Sequence, residues 1–179
     1  AGGMVGATLP ALGAKGLVAS GIAKVSAFIV LSPLIGMALG SAMMVSTAWI
    51  VRRQRPARVD GWFRKLQLVS SAIFSYSHGS NDAQKVMGII SVVIYGTIWA
   101  DRAFHVPWWV VILCHTAIAL GTFFGGWRIV KTMGMRMTRL KPIGGFCAET
   151  AGACTLFMAT GFGIPVSTTH TITGAIVGV

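Results

Sequence analysis

The stretch His78-Gly79-Ser80-Asn81-Asp82-Ala83-Gln84-Lys85 lies between two apolar runs, Leu66 to Phe74 and Val86 to Ile98. Without it, the region would read as one membrane-crossing segment. Lipid offers no water to satisfy Asn, Asp or Lys, so such residues persist at that depth where they face a cavity or a pathway. A second polar break, Gly163-Ile164-Pro165-Val166-Ser167-Thr168-Thr169-His170, interrupts the apolar C-terminal region. Two helix interruptions carrying hydroxyl, amide and imidazole groups are the pattern of a transporter's substrate site. The expected fold is an all-α integral membrane protein with interrupted helices.

Composition agrees. Apolar residues make up 54% of the chain and charged residues only 11%, well under the usual share in a soluble domain. The net charge of +11 could suggest nucleic acid, but its distribution does not. Most of the basic residues fall in two short segments: Arg52, Arg53, Arg55, Arg58, Arg64 and Lys65, then Arg128, Lys131, Arg136, Arg139 and Lys141. Both flank apolar spans, where the positive-inside rule puts Lys and Arg, so loops 52–65 and 128–141 are expected to be cytoplasmic. Trp49, Trp62, Trp99, Trp108, Trp109 and Trp127 fall at or near span ends, as an interfacial belt requires.

The chain divides accordingly. Residues 1–51 hold the end of one membrane segment, a loop and a spanning helix from Ala27 to Val51, with Pro33 expected to kink it. Loop 52–65 follows, then an interrupted span over 66–99, an external loop around Asp101, and a clean span over 108–127. The last region, 142–179, has two apolar arms around the Gly161 to Pro165 turn and reads as a helical hairpin that crosses or re-enters the membrane. Gly2-xxx-Gly6, Gly36-xxx-Gly40, Gly121-xxx-Gly125 and Gly174-xxx-Gly178 each permit close helix contact. The first and last of these also match in the residues between, which suggests an internal duplication.

The chemistry follows from the two breaks. Gly79-Ser80-Asn81-Asp82 disfavours continuous helix, and Ser80 or Asn81 can cap a new half-helix. Ser167 or Thr168 can do the same after Pro165. A capped half-helix ending inside the membrane presents backbone N–H groups and a partial positive charge, which suits an anion. Hydroxyls of Ser80, Ser167, Thr168 and Thr169 would add donors for a tetrahedral oxyanion. Asp82 would repel such an anion unless it binds a coupling cation, takes a proton, or pairs with Lys85 one turn on. His78, His170 and Glu149 are further candidates for coupling. His115 reads as structural, and Asp101 and His105 as loop residues. No metal ligand set is expected, because the histidines and the three cysteines lack tight ligand spacing.

Ser77-His78-Gly79-Ser80-Asn81-Asp82 and Pro165-Val166-Ser167-Thr168-Thr169-His170 closely resemble the paired signatures of the inorganic phosphate transporter (PiT) family. Ser32-Pro33-Leu34-Ile35-Gly36 is similar to that family's segment between its two halves. The resemblance covers essentially the whole chain. It implies an inverted-repeat transporter, not an enzyme, of which this chain is a fragment holding mainly the second repeat. Phosphate would be bound by Ser80, Asn81, Ser167, Thr168 and Thr169, and coupling would run through Asp82, Lys85, His78, His170 and Glu149. Sodium-coupled relatives usually carry Asn three residues after the motif Asp. Gln84-Lys85 resembles instead the bacterial, proton-coupled, low-affinity branch, which carries phosphate with a divalent metal. The resemblance thus implies phosphate and the lipid bilayer of a bacterial inner membrane as partners. It implies no nucleic acid and no cofactor beyond the coupling proton, and leaves a homodimer open. A sulfate permease of the same family and a membrane metal-binding subunit are the alternatives.

Overall fold

A computed structural model of the chain describes residues 2, 3, 5, 6, 10, 18–98, 103–126, 140–164 and 166–179. Among these, the ordered elements from residue 18 onward are all helical: α1 (Ala19–Val51), α2 (Pro56–Thr97), α3 (Trp108–Gly125), α4 (Pro142–Gly161) and α5 (Thr168–Gly178). Arg128, Lys131, Arg136 and Arg139, together with Trp99, Asp101, Trp127 and Pro165, lie outside the described residues.

Two helices, α1 and α3, are long and apolar enough to cross a membrane. Their side chains point the wrong way for a soluble protein. In α3 the buried residues are Val110 and Cys114, while Trp108, Ile112, Leu113, Leu120, Phe123 and Phe124 are exposed. An outward face of that kind fits lipid rather than water. Trp49, Trp62, Trp108 and Trp109 are exposed towards helix ends, in keeping with an interfacial belt.

Two expectations are corrected. First, α2 is a continuous helix of 42 residues that runs through the polar cluster without a break, so neither Ser80 nor Asn81 caps a half-helix. The cost of Gly79 in a helix is about 1 kcal/mol. A break in lipid would instead orphan several backbone groups at several kcal/mol each. Second, the loop after α1 is confined to 52–55, because α2 starts at Pro56 rather than Leu66. Pro56 sits in the first turn, where its fixed φ is pre-set for a helix. Arg64 pairs with Asp60 at 3.2 Å, and Phe63 packs edge-on against Phe146 at 5.3 Å, holding this end in place.

The helix directions follow from which residues touch. Phe63 meets Phe146, Ser70 meets Glu149, and Asn81 meets Thr160, so α2 and α4 run parallel. Thr47 meets Cys147 while Phe28 packs near Leu156 and Ala159, so α1 and α4 are antiparallel. The chain reverses between α4 and α5, and α5 returns along α1. There the small-residue spacings do their packing: a Cβ on Gly36 would strike the carbonyl of Thr171, and one on Gly174 would strike that of Pro33. A Cβ on Gly40 would sit 2.6 Å from the Ala175 carbonyl. Gly36-xxx-Gly40 and Gly174-xxx-Gly178 are therefore two halves of one backbone-to-backbone contact. Gly2, Gly6, Gly121 and Gly125 meet nothing within 4 Å. α1 continues through Pro33.

The hairpin's two arms lie on one side: Gly144, near the start of α4, is beside Val179. Its tip stops beside Asn81, about 24 Å short of the C-terminal end of α2 at 1.5 Å per residue.

Candidate substrate and coupling site

The hairpin tip is built by two opposite capping devices. At the end of α4, Gly163 adopts φ +64°, a left-handed conformation that costs glycine little. The Ile164 N–H donates to the Ala159 carbonyl at 2.9 Å, and the Gly163 N–H to that of Thr160 at 3.0 Å. This is a Schellman closure, and Ile164 completes it by packing near Ala159. At the start of α5, Ser167 is the N-cap: its hydroxyl accepts from the His170 N–H at 3.4 Å. Its carbonyl takes the Thr171 N–H at 3.0 Å. The N–H groups of Thr168 and Thr169, at the positive end of α5, are used by neither device.

Against this tip α2 presents two adjacent stripes of polar residues. Ser70, Ser77 and Asn81 are buried towards α4, and Asn81 Nδ2 donates to Thr160 Oγ1 at 3.3 Å. The next stripe, His78, Asp82 and Lys85, is spaced by 4 and 3 residues, so its members meet on one face. Asp82 Oδ2 lies 3.1 Å from His78 Nε2, and Asp82 Oδ1 lies 3.0 Å from Lys85 Nζ. Lys85 does not snorkel away; its ammonium also donates to the Val166 carbonyl at 2.9 Å, tying α2 to the hairpin tip. Thr168 Oγ1 approaches Asp82 Oδ2 at 3.4 Å.

Two cavities open beside these residues. One, of about 900 Å³, is lined by Asp82, Lys85, Ser167, Thr168 and Thr169, and reaches Phe104. The other, of about 910 Å³, is lined by His78, Ser80, Asp82 and His115. Asp82 forms part of both walls. In the first, an ammonium, three hydroxyls and a helix N-terminus converge, opposed by one carboxylate. That donor set can hold a tetrahedral oxyanion once the carboxylate is neutralised by its neighbours or by a proton.

The sequence-derived candidates are thus only partly brought together. Ser167, Thr168, Thr169, Asp82 and Lys85 share one cavity. Ser80 faces the other cavity with His78, and Asn81 is buried between α2 and α4. The His170 side chain is exposed. Glu149 is remote: it accepts from Ser70 Oγ at 2.5 Å and Ser71 Oγ at 2.7 Å. That is 11 to 12 residues, about 17 Å along α2, before Asp82. The sequence reading missed Thr160, the Val166 carbonyl, and the Ser70-Ser71 pair. A carboxylate in an apolar helix signals that donors exist, but not which ones across nearly eighty residues of chain. His115, read as structural, donates from Nδ1 to the Val111 carbonyl at 2.9 Å yet also lines the second cavity. Among the described residues no group of three His, Cys, Asp or Glu could hold a metal ion.

The chain is similar to known proteins in sequence and in fold. A solved structure described as the sodium-dependent phosphate transporter superposes with a TM-score of 0.86 over 99% of this chain and 61% of its own, at 22% identity, a likeness of fold. A probable low-affinity inorganic phosphate transporter of Rhizobium meliloti (strain 1021) is 55% identical over 99% of this chain and 53% of its own length. One of the same description from Bacillus subtilis (strain 168) is 39% identical over 99% of this chain and 54% of its own. The chain spans about half the length of these relatives. A profile of the phosphate transporter family, one of transporters rather than enzymes, matches residues 51–179, and the chain belongs to that family.

Proposed function

We propose that this chain supplies half of the translocation site of an inorganic phosphate symporter of the bacterial inner membrane, driven by protons and carrying phosphate as its complex with a divalent metal. The observation that carries the proton reading is Lys85: its Nζ lies 3.0 Å from Asp82 and 2.9 Å from the Val166 carbonyl, beside Ser167, Thr168 and Thr169. A fixed ammonium there takes the place of a bound sodium ion, and leaves Asp82 to accept and release the coupling proton. Both donors and carboxylate border the same cavity, so protonation of Asp82 removes the charge that opposes the anion. The complementary site residues come from the preceding repeat, and the basic segments around 52–65 and 128–141 face the cytoplasm. The relatives named as phosphate transporters support phosphate over sulfate as cargo.

The test is uptake of labelled phosphate by the full-length protein in proteoliposomes. Uptake should follow an imposed pH gradient, ignore sodium, and resist competition by sulfate. Asp82→Asn keeps the shape and removes the charge, so folded protein with uptake reduced at least tenfold is expected. A strict sodium requirement would overturn the proton reading, and near-normal uptake by Asp82→Asn would reduce Asp82 to a structural role.

A further inference from the structure

At the opposite end of the hairpin from the tip, the ends of α1, α2 and α4 enclose a cleft of about 550 Å³. Its floor is apolar, formed by Val51, Val59 and Ile143, and its polar wall is Gln54, Asp60 and Lys141. The chain around it is strongly basic. Arg52, Arg53, Arg55 and Arg58 adjoin the lining residues in sequence and are exposed, as is Lys141. Asp60 is the one acidic residue between positions 51 and 65, and Arg64 already pairs with it at 3.2 Å. The excess positive charge around the cleft is therefore not answered by the described residues. Trp49 and Trp62 stand exposed on either side of the α1–α2 turn, and the Arg52 guanidinium lies 4.6 Å from the Trp49 ring. Indole rings and Arg side chains of that kind mark the depth of lipid headgroups.

A cleft that sets one ammonium, one amide and an Arg64-paired carboxylate above an apolar floor, with exposed arginines next to its lining residues in sequence, at headgroup depth between membrane helices, matches one ligand chemistry. We propose that it binds an anionic phospholipid, the phosphate of the headgroup held by Lys141, Gln54 and Arg55 and the start of an acyl chain lying on Val51, Val59 and Ile143. Charge selects the headgroup, since a zwitterionic lipid carries its own ammonium to the same basic wall. The apolar floor selects an amphiphile over a small inorganic anion, which would gain nothing from Val51 or Ile143. The position also has a mechanical consequence. α1 and α2 carry the packing partners of the hairpin and α4 is one of its arms, so a lipid wedged between their ends braces the frame against which the tip is held. The proposal is independent of which ion is transported.

The experiment uses the full-length protein purified in detergent and native mass spectrometry with added phosphatidylglycerol, phosphatidylcholine or inorganic phosphate. Phosphatidylglycerol should be retained in preference to phosphatidylcholine. Lys141→Gln and Arg55→Gln should each weaken that retention about fivefold, and the double variant more. Lys141→Arg keeps the charge and should keep the preference, which separates loss of binding from loss of fold. Lys24→Gln removes a charge about 40 Å away along α1 and should change nothing. Equal retention of the two lipids would overturn the proposal, as would an equal effect of Lys24→Gln. Displacement of phosphatidylglycerol by millimolar inorganic phosphate would also overturn it, making the cleft a small-anion site.

Discussion

Replacing Lys85 with Met would test the tie between α2 and the hairpin tip. Met keeps much of the side chain's length and apolar packing while removing the ammonium. Two contacts go with it: the bond to the Val166 carbonyl at 2.9 Å and the pair with Asp82 at 3.0 Å. Val166 is only 3% exposed, so loss of that charge-assisted bond should cost about 1.5–3 kcal/mol. The Asp82 pair adds less. Its side chains are 41% and 35% exposed, and screened pairs contribute about 0.2–1 kcal/mol. Asp82 also keeps His78 at 3.1 Å. A local loss of about 2 kcal/mol follows, which is roughly 30-fold in an opening equilibrium. Hydrogen exchange on the full-length protein reads this directly. Amides of 162–164 and 166–171 should exchange about 30-fold faster, while those of 63–74, packed on α4, should not change. Lys85→Arg should restore most of the protection. Unchanged exchange at the tip, or an even rise through every helix, would refute the claim that Lys85 pins it.

The small-residue contact makes a prediction of opposite signs. Gly174→Ala puts a methyl on the Pro33 backbone and should lower thermal stability by about 1–3 kcal/mol, whereas Gly121→Ala, with nothing within 4 Å, should gain up to about 1 kcal/mol of helix propensity. Melting curves in detergent that move the same way for both would remove the interface argument. Thr168→Val deletes a donor in the first cavity and should weaken phosphate binding by about 1–3 kcal/mol in the full-length protein, measured calorimetrically. Unaltered affinity would take Thr168 out of the coordination sphere. Glu149→Gln should leave phosphate affinity intact, because Ser70 and Ser71 hold Glu149 far from the tip, yet lower the uptake rate if its charge serves coupling. A drop in affinity would mean that the carboxyl reaches the anion after all.

The all-helical membrane architecture was legible because its causes are local: apolar length, Lys and Arg beside the spans, Trp at their ends. The Ser167 cap was legible for the same reason, since an N-cap acts on its own helix's N–H groups. So was the Asp82–Lys85 pair, fixed by a spacing of three on one helix. The expected break at Ser80-Asn81 is absent because helix propensity, worth up to about 1 kcal/mol per residue, is outweighed by the cost of orphaned backbone in lipid. Asn81 then faces Thr160 and Ser80 faces His115's cavity, so one assumed half-helix end becomes two faces of an intact helix. Glu149 misled in another way. Its type announced a need for donors, but Ser70 and Ser71 are joined to it only by tertiary packing.

The placement of the single break at the site has its own physical logic. α2 has neighbours on both sides and can keep every backbone group bonded by remaining helical, so its polar cluster acts through side chains alone. The α4–α5 hairpin has to reverse direction, and a reversal orphans the last carbonyls of one helix and the first N–H groups of the next. The Schellman closure at Gly163 absorbs the carbonyls, and Ser167 absorbs part of the donors. What remains, the N–H groups of Thr168 and Thr169, lies beside the cavity that Lys85 enters from α2. The site's positive character therefore comes from two sources of different kind, a helix end that cannot be titrated and an ammonium fixed by two acceptors. Asp82 opposes both, within reach of Lys85 and of the Thr168 hydroxyl. With Asp82 ionised, its charge and that of Lys85 cancel, and the helix end alone favours an anion. With Asp82 protonated, the ammonium is uncompensated and reinforces it. Under the proposed reading a proton carried on Asp82 thus favours entry of phosphate at the same site.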